Sequence, residues 1–186
     1  MQKLHNKTIA ILAADGFEQV ELEKPKKALE EAGATTKVVS PSSGRIQGMN
    51  HDEKGGTVPV DVPLDDAHAE DYDGLMIPGG LINPDTLRAN QKALEFVGEF
   101  FKAGKPVAAI CHGPWVLNDA GLVKGRTLTS WPAIKTDVRN AGGNWVDKEV
   151  VTDGQFVFSR KPDDIPAFNR ALIESIVQHA PHAVGV

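Results

Sequence analysis

Cysteine is almost absent from this chain: Cys111 is the only one in 186 residues. A lone thiol excludes an intramolecular disulfide and a cysteine-rich zinc cluster. Positive charge is not in surplus either. The 20 lysines and arginines face 25 aspartates and glutamates, a formal net charge of −5, and no stretch gathers the basic residues. That balance argues against nucleic acid as a partner. Long apolar runs are missing too. The first, Ile9 to Ala14, ends at Asp15-Gly16 and is too short to span a bilayer. No cleavage-site pattern follows it, so the chain reads as cytoplasmic, without a membrane partner. The six histidines are scattered, and neither a metal site nor another cofactor is expected. There is no repeat, linker or low-complexity segment, and the length suits one domain over residues 1–186 with a substantial core.

What is present is an alternation of strand-like and helix-like patterns. Thr8–Ala13, Thr35–Ser40, Asp73–Ile77 and Val107–Ile110 read as short buried strands. Residues 17–32 read as helical, stopped by Gly33, with Pro25 interrupting so that the main helix starts near residue 24. Residues 45–63 read as an extended excursion with a hairpin turn at Gly55-Gly56 and an edge strand at Thr57–Val60. Asn83-Pro84 opens a helix whose expected core face is Leu94, Val97 and Phe101. Further helices are expected to Asp119, from Trp131 to Ala141, and from Pro162 onward with Ile165, Phe168, Leu172 and Ile176 on one face. A hairpin is expected around Asp153-Gly154. Such alternation predicts an α/β fold, with a mainly parallel sheet and helices on both faces. Sites in these sheets form at the C-terminal strand ends. Three segments fall there: Ala14–Glu18, Pro78–Leu81 and Cys111–Pro114.

Cys111 follows the apolar run Val107–Ile110 and precedes a helical pattern, which puts a thiol on a strand–turn–helix elbow. A helix N-terminus stabilises a thiolate; lowering the thiol pKa from about 8.5 to about 5.5 would be worth about 4 kcal/mol. The plain alternative is a small buried hydrophobe. Glu18 lies where the first strand passes into its helix. It is either a solvated first-turn acid or a protonated carboxyl hydrogen-bonding the sulfur. His112 is a candidate general base, or an ordinary first-turn residue. Asp85 is the nearest orienting carboxylate, or simply a helix first-turn acid. Gly79-Gly80 would let backbone N–H groups reach a reacting carbonyl, although a tight turn alone also explains them. Trp115 and Trp131 line a pocket or pack the core.

The set Asp15-Gly-Phe-Glu18, Met76-Ile-Pro-Gly-Gly80, Ala109-Ile-Cys-His-Gly-Pro114 and Thr129-Ser-Trp-Pro132 resembles the PfpI family of the DJ/PfpI superfamily. The similarity runs from about Lys7 to Leu172. It implies a flavodoxin-like three-layer sandwich and a homodimer or higher homo-oligomer. It implies Cys111 as reactive cysteine, Glu18 as the carboxyl beside it, and His112 as the triad histidine. Gly80 and His112 would be the oxyanion-hole donors. Protease members of the family take a third residue from a neighbouring subunit, where this chain offers Asp85. The activities implied are peptidase or glyoxalase/deglycase chemistry on peptides or small carbonyl compounds in a stress response. Two alternatives stand beside these: a non-enzymatic sensor in which Cys111 is oxidised to sulfenic or sulfinic acid, and a holdase chaperone.

Overall fold

The computed structural model describes residues 3–179. In chain order it runs through β1 (Thr8–Leu12), β2 (Phe17–Glu18), α1 (Gln19–Glu31), β3 (Thr35–Ser40), β4 (Arg45–Asn50), β5 (Glu53–Pro59) and β6 (Val62–Pro63). It continues with β7 (Gly74–Ile77), α2 (Ile82–Arg88), α3 (Gln91–Lys102), β8 (Val107–Ile110), α4 (Pro114–Asp119) and β9 (Thr127–Leu128). Then follow α5 (Lys135–Asn140), β10 (Asn144–Trp145), β11 (Val150–Asp153), β12 (Phe156–Ser159) and α6 (Ile165–Gln178). Seven strands form one sheet in the order β11-β12-β8-β7-β1-β3-β6, parallel throughout except where β11 pairs antiparallel with β12. Among the described residues no helix is long and apolar enough to cross a membrane.

The strands are continuous apolar runs because both faces of the sheet are covered. Successive side chains point to opposite faces. In β1, Ala10 and Leu12 enter one core while Ile9 and Ile11 enter the other. The first core is closed by Phe96, Val97 and Phe100 of α3, and by Val116 and Leu117 of α4. The second is closed by Leu22 and Leu29 of α1, and by Phe168, Leu172 and Ile176 of α6. This is the three-layer flavodoxin-like sandwich expected.

Three local expectations need correcting. Pro25 does not delay α1, which runs unbroken from Gln19. A proline there removes only its own N–H bond to the carbonyl of Glu21, and burial of Leu22 and Leu29 on either side holds the helix through it. The hairpin turns at His51-Asp52 rather than at Gly55-Gly56, which lie inside β5; His51 takes the left-handed conformation at φ 60°. The helix expected from residue 83 is two helices. Asn90 caps the second by accepting from the Ala93 N–H at 3.0 Å, and the buried face is Ala93, Phe96, Val97 and Phe100. Leu94 and Phe101 flank that face, partly buried.

Candidate active site

β1, β7 and β8 are neighbours in the sheet, and their C-terminal ends bring together the three segments singled out from sequence. The chain leaves β1 toward β3 on one side and returns to β7 on the other, so the crevice between β1 and β7 is a topological switch point. Asn83 ties this crevice shut. Fully buried, it accepts from the Ala14 N–H at 2.7 Å and donates to the carbonyls of Pro78 at 2.9 Å and Gly79 at 3.1 Å.

Cys111 sits at the elbow with φ 62°, a strained conformation for a residue with a side chain. Its backbone is pinned from both sides. The N–H donates to the Ser159 carbonyl at 3.0 Å, and the carbonyl accepts from the Trp131 N–H at 2.8 Å. The sulfur lies 3.2 Å from Nδ1 of His112. Backbone N–H groups of His112 and Gly80 are directed at it. Gly80 has φ 82°, and a Cβ there would fall 2.4 Å from the Gly16 carbonyl oxygen, so only glycine fits.

The carboxyl against Cys111 is that of Glu21, not Glu18 as the sequence suggested. Glu21 is fully buried, and its Oε2 accepts from the Gly79 N–H at 2.9 Å. A Cβ on Gly79 would lie 2.5 Å from that oxygen and 2.6 Å from Cβ of Cys111, which shows how closely the two side chains approach. Oε1 has no hydrogen-bond partner among the described residues, which suits an uncharged carboxyl. Burial is the main reason the Glu21 pKa rises from 4.5 to about 8, with the nearby Glu18 charge adding to it. Glu18 stands one helical turn away, also buried, and its Oε2 accepts from the His51 N–H at 3.1 Å. It belongs to the pocket wall.

The thiol is pushed up, not down. Burial is the largest cause and the Glu21 charge the next, while the N–H groups of His112 and Gly80 pull the other way. The six-residue α4 begins three residues beyond Cys111, so its dipole is outweighed at 7% exposure. Cys111 and Glu21 therefore behave as one unit: an anion on either holds the proton on the other.

Burial keeps the His112 imidazole below its usual pKa, hence neutral at pH 7. Trp131 stacks on it at 5.9 Å with planes 24° apart, and Trp115 meets it edge-on at 5.1 Å. Asp137 fixes Trp115 through its indole N–H at 2.8 Å. Asp85 is exposed on α2, and no hydrogen bond joins it to His112 among the described residues. Within one chain the imidazole is oriented by tryptophans. Around the thiol lies a cavity of about 180 Å³, walled by Glu18, Glu21, His51 and His112, with Leu81 and Trp131 at its mouth.

Sequence reasoning missed Glu21, His51 and Asn83. Glu21 carried a usable signal: it stands three residues after Glu18, on the same helical face.

A parallel α/β sandwich with a strained cysteine elbow at a strand end is the architecture of the thiol-elbow proteins. Residues 7–175 match the DJ-1/PfpI family. A protein of Thermococcus kodakarensis named deglycase is 43% identical over 166 residues, 89% of this chain and 97% of the other. The Pyrococcus furiosus protein named deglycase PfpI is 42% identical over the same shares. The Bacillus subtilis protein YraA, provisionally named a cysteine protease, is 45% identical over 89% of this chain and 95% of its own. Among solved structures, a two-domain Anabaena variabilis protein with DJ-1/ThiJ/PfpI-like and ferritin-like domains superposes with TM-score 0.87 and 31% identity. That match covers 97% of this chain but 52% of the larger protein, so the chain spans about half its length. Drosophila melanogaster DJ-1beta superposes with TM-score 0.82 and 26% identity, covering 94% and 95% of the two chains. The chain belongs to the DJ-1/PfpI family.

Proposed function

We propose that this protein is a cysteine-dependent enzyme that acts on small reactive carbonyl compounds, of the glyoxalase/deglycase type, in a stress response. One observation carries the reading: a thiol flanked by an imidazole, a carboxyl and two backbone N–H donors, all facing a cavity of about 180 Å³. That space suits a two- or three-carbon 2-oxoaldehyde; sites for drug-sized ligands run from about 300 Å³ upward. Peptide hydrolysis is less favoured, because a cavity of about 180 Å³ has room for a small carbonyl compound rather than for the residues flanking a peptide bond.

His112 Nδ1 takes the proton from Sγ, and sulfur attacks the aldehyde carbon. The carbonyl oxygen becomes an oxyanion held by the N–H groups of Gly80 and His112. Returning the proton to that oxygen gives a hemithioacetal. His112, neutral again, carries a proton from C1 to C2, giving a thioester of the 2-hydroxy acid. Water cleaves it to the free acid and the thiol. Glu21 keeps its proton through neutral pH and steadies the sulfur while it bears charge.

A working thiol requires a reducing compartment, which supports the cytoplasm as its location. Leu81, at the cavity mouth, and the adjacent Ile82 are 61% and 54% exposed, which supports a homo-oligomer contact there. The test is consumption of methylglyoxal, with lactate release, by wild type and Cys111→Ser. Loss of at least about 10²-fold in the variant is expected. Equal rates, or no turnover by either protein, would refute the proposal.

A further inference from the structure

The cavity is lined by a second histidine, an exposed one that the large sheet does not supply. β4 and β5 are joined by His51 and Asp52, and His51 lines the same cavity as Cys111 and His112. Two observations show that this hairpin tip is held in place. The His51 backbone is left-handed at φ 60°, uncommon for a residue bearing a side chain. Its N–H donates to Oε2 of Glu18 at 3.1 Å, although Glu18 is buried at only 8% exposure. Glu18 is anchored in turn: its own N–H donates to the Gly79 carbonyl at 3.3 Å, and in the β2–β4 pairing it stands opposite Met49, two residues before His51. A buried carboxylate thus ties the hairpin tip to the glycine loop that carries one oxyanion donor. An unconstrained surface hairpin would need no such tie.

We infer that His51 is a second acid–base residue of this site, and that Glu18 is its positioning residue. The inference rests on the carbonyl-enzyme reading and assigns the protons that reading leaves unassigned. Turning the hemithioacetal into the thioester moves one proton from C1 to C2 and another between the oxygens on those carbons. As His112 removes the C1 proton, electrons shift into a C1–C2 double bond, the C2 carbonyl π bond opens, and His51 protonates the C2 oxygen. When C2 takes back its proton from His112, the C1 hydroxyl returns a proton to His51 and the C1 carbonyl forms. Both imidazoles finish as they began, and there is no net oxidation or reduction.

The experiment compares wild type, His51→Gln, Glu18→Ala, Glu18→Gln and the His51→Gln/Glu18→Ala double variant. Methylglyoxal turnover and Cys111 alkylation by iodoacetamide are read in each. His51→Gln should lower kcat about 10²-fold or more, the span of general acid–base catalysis, with KM moving less than about 3-fold. Its Cys111 alkylation rate should stay within about 2-fold of wild type, since the thiol is untouched. Glu18→Ala should lower kcat as well, yet add less than about 3-fold to His51→Gln, because the anchor acts chiefly through the imidazole and its charge is a lesser influence on Glu21. Glu18→Gln keeps an oxygen acceptor for the His51 N–H and should retain more kcat than Glu18→Ala. An active wild type with an undiminished His51→Gln overturns this inference alone, as does a double variant whose losses multiply. A wild type inert toward methylglyoxal, with a thiol that alkylates normally, overturns the carbonyl reading and this inference with it.

Discussion

Replacing Glu21 by Gln should flatten the dependence of stability on pH. The carboxyl is fully buried, and its pKa rises from 4.5 to about 8, chiefly because burial penalises the charged form. A group whose folded pKa lies above its unfolded value stabilises fully below the unfolded pKa and loses that contribution as pH climbs through the folded one. At 1.36 kcal/mol per pH step, the whole displacement is worth about 5 kcal/mol. Applying the linkage relation between pH 5 and pH 8 leaves a loss of about 3 to 4 kcal/mol for wild type. The substituted glutamine cannot ionise. Its amide oxygen can still accept from the Gly79 N–H, and its NH₂ can face the sulfur, so the packing is kept. Urea unfolding at half-unit pH intervals, analysed for free energy and slope, gives the comparison. The wild-type curve should fall by that amount relative to the variant. Parallel curves, within about 0.5 kcal/mol, would show that Glu21 ionises freely in the fold and would remove the case for a proton shared with Cys111.

Two further outcomes follow from the same geometry. Burial lowers the His112 pKa from 6.5, so the acid limb of kcat/KM should lie below pH 6.5; Trp131→Ala, which uncovers one ring face, should move that limb up toward 6.5. A limb that stays put in the variant would mean Trp131 does not shield the imidazole. Asn83→Ala strands the Ala14 N–H and two loop carbonyls, which should destabilise the fold by about 2 to 4 kcal/mol in urea unfolding. A loss under about 1 kcal/mol would show that the glycine loop holds without it.

The sheet was legible because its signals are local and redundant. Strands buried on both faces must be apolar throughout, and Val107–Ile110 ending at Cys111 marked the elbow without help from any other segment. Helix interruptions were harder to read. Pro25 looks like a break, but tertiary packing of Leu22 and Leu29 overrides its cost; Asn90 looks unremarkable, yet its side chain starts a new helix. The hairpin turn was misplaced because Gly55-Gly56 has the commoner turn composition, whereas His51 accepts a left-handed backbone held by a carboxylate 33 residues away. That bond is long-range and leaves no mark in spacing. The site split along the same line. Cys111, His112, Gly80 and Trp131 line one cavity, whereas Trp115 is not part of its wall and packs against His112 from behind. Choosing between Glu18 and Glu21 required the helix phase, and misreading Pro25 had cost that phase. Asp85 is a different case: the resemblance gave it a role between subunits, and within the chain it is exposed, with no hydrogen bond to His112 among the described residues.

The most direct test of covalent chemistry at Cys111 is rapid-quench intact-mass analysis during methylglyoxal turnover, with the modified residue located by peptide mapping. A methylglyoxal-derived adduct on Cys111 should appear before lactate accumulates and vanish as substrate is exhausted. Turnover with an unmodified Cys111, or an adduct that forms and never discharges, would contradict the account.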